Sequence, residues 1–516
     1  MKKAAALLLA IFSLWLCACG KDTPPAPAES PENTAAPAAA APAGDGIETL
    51  ELYKDIQYYQ QWQDDTLLCR VEFPQLMMDG EQAKKYAVSD ALDSYNAALA
   101  SLAQQDYERL LNSAMADIEL NMENAGGYYS SSELYVPRAD SLALSLLCRT
   151  ETNLGGAAQL FFSSANFDSR TGRQLALRDV SGDLAQLSEL IKAQLEKDYP
   201  KAEFYDLDAA MEQYVQGERE YVWTMDYQGL SFYFAPYELA DGAEGVFSVG
   251  LRFVDHPGLF SLYYTRQPYS YAVPVIEGRC LNYDIENDGL SELITLRSLK
   301  AKDGSGLLEI GVGGRNMSVN VSLQAYDAYV VYSGPSRSFL FINAHNAAGY
   351  GFVSVYRLER TGASLVGMLY DTALQAAGYT PECRGVPLLT KPEHLLLGTK
   401  IELMGTLTGV KDYYIGGSGM PESRDEYYRV YADTTLTAKS DFVTAGIDPV
   451  SGKGLNSAAK IPADTLMFYH RSDGVSFVDL MSEDGQCCRM YVSGKGSGQT
   501  VNGVPVAEFF DGVIYK

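Results

Sequence analysis

The sequence predicts an α+β N-terminal domain, antiparallel sheets with helices, followed by a mostly β C-terminal region. Three observations carry this. Residues 82–122 place apolar side chains at near-helical intervals; short strand-like runs flank that stretch; and beyond residue 274 strand-like runs follow one another with Gly and Ser between them. A chain of 516 residues exceeds one core, so several domains are expected.

The first stretch is a leader. Met1-Lys2-Lys3 is a positive start, and Ala4 to Leu16 is an apolar run of signal length, too short for a comfortable permanent span. It closes on Leu16-Cys17-Ala18-Cys19, which is similar to the lipobox of bacterial lipoproteins. That resemblance implies a signal peptide over 1–18 and a lipid on Cys19 as the first mature residue, and so a protein on the extracytoplasmic face of the cell membrane. The alternative is an ordinary secretory signal cut after Ala18, with Cys19 a bystander. Residues 19–46 read as a Pro/Ala-rich tether with no apolar face to bury. Stretched in polyproline form, its central 25 or so residues reach on the order of 80 Å, at ~3.1 Å each.

Residues 47–266 form the expected α+β domain. Ile47–Tyr59 and Thr66–Phe73 read as strands, and 82–122 as a helix with Gly126-Gly127 as its stop. Leu142–Leu147 and Gln159–Phe162 are strands around Gly155-Gly156, Ser169–Gly172 is a turn, and Leu184–Tyr199 is a helix stopped by Pro200. Gly229–Phe234 is another strand. Gln267–Val273 reads as a second linker. A β-rich domain over 274–396 and a C-terminal β domain over 397–516 follow, sandwich or propeller being left open.

Lys and Arg total 40 against 66 Asp and Glu, a net charge of -26, or -28 once Lys2 and Lys3 leave with the signal. This excludes a nucleic-acid binder, which needs a basic stripe. It favours encounter with cations and basic partners, or simply keeps the surface soluble. Six cysteines remain once Cys17 and Cys19 are set aside, without C-x-x-C spacing, so neither a zinc site nor a disulfide scaffold is indicated. Cys69 and Cys148 read as buried thiols, a disulfide between them being the lesser alternative. Cys487 and Cys488 alternate faces if on a strand, so at most one is expected in the core.

The run Asn166-Phe167-Asp168-Ser169-Arg170-Thr171-Gly172, continuing to Leu175, Leu177 and Asp179, resembles a signature of the extracytoplasmic domain shared by RsiV-type anti-sigma proteins and PdaC-type deacetylases. Phe232 to Ala240, an aromatic strand running into Pro236-Tyr237-Glu238, resembles that domain's second signature, and Phe73-Pro74-Gln75 a strand end. The resemblance spans about 47–265. It implies a binding or sensing domain whose ligand is a cell-wall component or a basic secreted protein such as lysozyme, with the membrane reached through the N-terminal lipid. The chain has Gly155-Gly156-Ala157-Ala158 where members often carry Gly-Gly-Ala-His, and nothing here matches a sigma-binding segment or a deacetylase domain.

The sharpest chemical motif is Asp284-Ile285-Glu286-Asn287-Asp288-Gly289-Leu290-Ser291-Glu292. Alternating acids around a Gly suit calcium, with Asp284, Glu286, Asp288 and Glu292 as carboxylate ligands and Leu290 through its carbonyl. The alternative is an acidic turn. The four histidines, His256, His345, His394 and His470, fall in no metalloprotease pair, and Ser457–Lys460 matches S-x-x-K without its partner elements. No catalytic residue is assigned. The expected function is binding or sensing; the alternative is a cell-wall glycan-modifying enzyme whose acids the sequence leaves unpaired.

Overall fold

The computed structural model describes residues 46–120, 127–276, 279–300, 306–320, 325–334, 337–345, 351–373, 385–432 and 434–515. The leader, Cys17, Cys19, the tether up to 45, Met122, Gly126 and Cys383 lie outside them.

β1 (Leu52–Gln63) and β2 (Thr66–Met78) form a long hairpin. Its tip is Asp64-Asp65, both in the left-handed region at φ 45° and 63°, as a two-residue turn matched to strand twist requires. The expected helix over 82–122 is two helices, α1 (Gly80–Lys85) and α2 (Val88–Glu119), parted at Tyr86, which is extended at φ -116° and ψ 123°. The break follows from burial of Gln82. Its amide accepts from the Glu51 N–H at 2.7 Å and donates to the Thr49 carbonyl at 3.1 Å, tying α1 to the chain ahead of β1. Helical periodicity alone does not report such a tie.

β3 (Tyr128–Ala139), β4 (Ala143–Leu154) and β5 (Gln159–Asp168) complete the sheet, in order β1-β2-β3-β4-β5, with a short strand Val386–Pro387 on the far side of β1. The β2–β3 pair is parallel, since α2 carries the chain back across the sheet; the other pairs are antiparallel. Leu92, Leu99 and Leu110 of α2 are buried against the sheet. Cys69 on β2 and Cys148 on β4 are buried free thiols. Cys69 lies opposite Tyr128 and Cys148 opposite Leu134, six positions further along β3, so the two thiols stand roughly 20 Å apart, beyond disulfide reach.

α3 (Leu177–Val180), α4 (Leu184–Asp198) and α5 (Leu207–Gln216) pack on a three-stranded sheet of β6 (Val222–Met225), β7 (Gly229–Phe234) and β8 (Phe247–Arg252). Asp183 caps α4 through the Gln186 N–H, and Asp206 caps α5 through the Ala209 N–H. Leu187, Ile191 and Leu195 meet Trp223, Phe232, Phe234 and Phe247 in one core.

From about residue 260 the chain is almost all strand. The four-stranded sheet Cys280–Tyr283, Glu292–Lys300, Gly306–Val312 and Arg315–Asn320 shares a core with a five-stranded sheet. The edge strand of that second sheet is Tyr271–Pro274, where the sequence suggested a linker. These residues are buried because Tyr271 stacks between Tyr227 and Tyr332, with ring centroids 4.0 and 5.1 Å away, a sandwich made only by distant segments. The other face of the five-stranded sheet packs on Leu389, Leu395, Leu397 and Ile415. Strand Leu395–Glu402 runs through the boundary expected at 396/397 and joins the C-terminal sheet of 14 strands.

In that last sheet both Cys487 and Cys488 are buried, and one of them, Cys488, belongs to the hydrophobic core, as the alternation of faces requires. Cys488 faces the core, and burial pushes its thiol up to about 12. Cys487 lies under a second covered layer: buried Asp479 takes Nε of Arg471 and Nε of Arg489, each at 2.7 Å, and the Arg489 guanidinium sits 3.6 Å from the Phe477 ring centroid. Arginine stems and rings bury a face that alternation alone assigns to solvent.

The three layers meet at Arg138 and Asp140, both fully buried and 2.8 Å apart. Arg138 also donates to the carbonyls of Tyr264 at 2.5 Å and Arg266 at 2.8 Å, and lies over the Tyr227 ring. Asp140 Oδ1 accepts from the N–H groups of Leu142 and Ala143. Removing one partner of a buried ion pair leaves the other charge uncompensated, at a cost of about 3–5 kcal/mol. Arg138→Met is therefore expected to lower the urea midpoint by a corresponding amount; an unchanged midpoint would show that this pair does not hold the layers.

Candidate functional site

The acidic loop leaves strand Cys280–Tyr283 and enters Glu292–Lys300, with Asn287 and Gly289 at φ 57° and 88° making the turn. Asp284 spends both oxygens on the loop backbone, accepting from the N–H of Asp288 at 3.0 Å and of Gly289 at 2.7 Å. Glu292 accepts from the Ile285 N–H at 3.2 Å. Burial pushes the carboxyls of Asp284 and Glu292 up. The other charges converge on one cation from a distant hairpin. The Arg360 guanidinium is ion-paired with Asp288, lies 3.6 Å from Glu286 and 3.2 Å from Glu292. Leu290 donates its N–H to Asp288 Oδ1 and exposes its side chain. The loop thus gathers its acids around a guanidinium, and among the described residues no three His, Cys, Asp or Glu side chains converge as a metal ligand set. Calcium at this loop requires Arg360 to move aside.

The two signatures turn out to be joints. Asn166 accepts from the Ser145 hydroxyl at 2.6 Å and donates to the Trp223 carbonyl at 2.9 Å, stitching β4 and β5 to β6. Asp168 Oδ1 takes the N–H groups of Arg170 and Thr171 and the Thr171 hydroxyl, and Gly172 follows at φ 68°. A Cβ there would stand 2.7 Å from the Ala87 carbonyl oxygen, so Gly is required. Glu238 accepts from the Ala235 N–H at 2.7 Å and from the Tyr214 hydroxyl, while burial pushes its carboxyl up. Tyr237 sits at φ 70° with its side chain 73 % exposed. These residues hold the scaffold and leave their charges spent.

A cleft of about 220 Å³ lies where the start of β1, the segment 387–396 and strand Thr406–Ile415 meet. Its lining includes Leu388 and Leu396, and its charged groups are mostly paired. Lys391 Nζ is 2.7 Å from Glu51, and His394 Nδ1 is 3.0 Å from Asp412 Oδ2. Asp412 Oδ1 is buried with no hydrogen-bond partner among the described residues, and burial pushes this carboxyl up. Arg429 lines the mouth. The nearby hydroxyls are spent: Thr390 donates to the Leu50 carbonyl at 2.6 Å, and Ser270 to Glu393. Sequence reading missed this cleft because Glu51 and Lys391 are 340 positions apart; the one signal was His394, one of four histidines in 516 residues. His256 lies edge-on to Phe260, and His470 Nε2 is 2.9 Å from the Pro449 carbonyl.

Residues 177–253, from α3 through β8, match the profile of a family described as a protein of unknown function, DUF3298. The second signature lies within this DUF3298 segment, and most of the first precedes it. No curated protein matches the chain. Two solved structures are similar. One is a DUF3298-family member from Bacteroides fragilis NCTC 9343, at 16% identity over 42% of this chain and 94% of that one, with a TM-score of 0.32. The other is a DUF3298-family protein from Pseudomonas aeruginosa PAO1, at 14% identity over 42% and 97%, with a TM-score of 0.29. No helix among the described residues is long and apolar enough to cross a membrane.

Thermal melts with and without millimolar calcium discriminate the two roles of the acidic loop. An ion site gives a rise in Tm with calcium that Asp288→Ala abolishes and chelator reverses. Arg360 acting as the countercharge gives no shift with calcium, and Arg360→Ala then makes the loop calcium-responsive.

Proposed function

We propose that this protein is a lipid-anchored, extracytoplasmic binding or sensing protein, held by Cys19 and a Pro/Ala-rich tether. Its ligand is a cell-wall component or a basic secreted protein such as a lysozyme. The supporting sequence features are the leader ending at Cys19, the tether and the acidic balance; the DUF3298 segment is consistent with an extracytoplasmic domain.

The observation that carries the reading is the β1–β2 hairpin. It exposes Ile56 at 39 %, Tyr58 at 57 % and Trp62 at 51 %, three large apolar side chains within seven positions of one strand. Ile56 and Tyr58 share a face by alternation, and a bulge between Gln61 and Trp62 resets the strand before the acidic tip at Asp64-Asp65. Exposed Tyr and Trp beside carboxylates form the kind of patch that anchors a basic protein partner. A wall-glycan-modifying enzyme is the second reading, favoured only by the His394–Asp412 pair in the cleft; release of sugar or acetate from peptidoglycan decides it.

Purified protein is expected to bind lysozyme or peptidoglycan in calorimetry, with lysozyme affinity falling as salt rises. Trp62→Ala with Tyr58→Ala should weaken that binding by about tenfold or more. Absence of heat with both ligands would sink the reading. For the anchor, labelled palmitate should enter the protein, and Cys19→Ser should release it from membranes; retention without label would refute lipidation.

A further inference from the structure

The cleft beside β1 has one acceptor and one cation left over after its internal pairs are formed. Lys391 and Glu51 neutralise one another at 2.7 Å, and one Asp412 oxygen is taken by His394 at 3.0 Å with Arg424 Nε 4.0 Å away. What is left is Asp412 Oδ1, buried and unmet, and Arg429, which forms no ion pair with any described residue. Sheet register places these two together. Arg429 pairs directly with Val410, and Asp412 is two positions further along the same strand, hence on the same face. Such diagonal neighbours stand about 7–8 Å apart at Cα, within reach of an arginine arm.

We propose that this cleft binds a small zwitterion, a free amino acid, with its ammonium on Asp412 Oδ1 and its carboxylate on Arg429. A plain anion would satisfy Arg429 and leave the buried acceptor unmet; a plain cation would do the reverse. A zwitterion meets both and leaves the cleft's charge balance unchanged. At about 220 Å³ the cleft falls below the usual size for drug-like ligands, roughly 300–1,000 Å³, and suits a single residue. Leu396, directly opposite Asp412 and so on its face, lines the cleft and would receive an aliphatic side chain. This rests neither on the lipid anchor nor on a macromolecular partner, so lysozyme binding and palmitate labelling stand or fall separately.

The test is calorimetry of the whole protein with alanine, leucine, leucinamide and N-acetylleucine. Leucine or alanine should bind saturably, and leucine at least tenfold more tightly than either blocked form, since each lacks one of the two charges. Arg429→Ala, an exposed change that spares the fold, should weaken binding by about tenfold, as should Asp412→Asn. No saturable binding of alanine or leucine overturns the proposal. So does equal binding of the blocked forms, or unchanged affinity in Arg429→Ala.

Discussion

Buried Arg138 and Asp140 make the constraint on which the rest of the architecture depends. A guanidinium with no access to water must find every acceptor within the protein. Arg138 finds Asp140 on its own strand and then the backbone of residues 264–266, where the chain leaves the first α+β unit. Asp140 in turn shapes the tight link from β3 to β4, and its carbonyl takes the Ser169 hydroxyl at 2.6 Å, in the signature turn. One ion pair thus sets the sheet end, the turn after β5 and the exit path together. Tyr227 extends this joint: its hydroxyl accepts from the Ala139 N–H at 3.2 Å, and its ring stacks on Tyr271 of the following β layer.

That joint explains why the domain borders are blurred. Val386–Pro387 returns to pair with Tyr53 and Lys54, and Leu395–Glu402 serves two layers, with Leu395 and Leu397 packed on one sheet while the backbone pairs in the next. The cleft of Asp412 and His394 is a product of this return. It exists because a strand from the end of the second layer is drawn back against the first.

Several features share one electrostatic habit: carboxylates are spent on arginines that other strands bring up. Arg360 serves the loop 284–292, and Arg471 with Arg489 serve Asp479. In a chain this acidic, a guanidinium is the scarce partner, and where it lands decides which carboxylates are spent on structure. The acidic loop shows the consequence. Its spacing speaks for a metal, whereas its geometry centres on Arg360.

The order of α and β elements was legible in the sequence, because alternation and helical spacing are local consequences of which side chains must be buried. Gly229–Phe234 and the helix from Leu184 appear where expected, and so does the turn at Ser169–Gly172. The acidic balance and the leader pattern are likewise properties of the chain itself. Tertiary structure alone decided the burial of Cys487, the strand at Tyr271, the break at Tyr86 and the company of Asp412. Each depends on partners carried by other segments of the chain. Periodicity reports which face of an element turns inward, but not what arrives to cover the other.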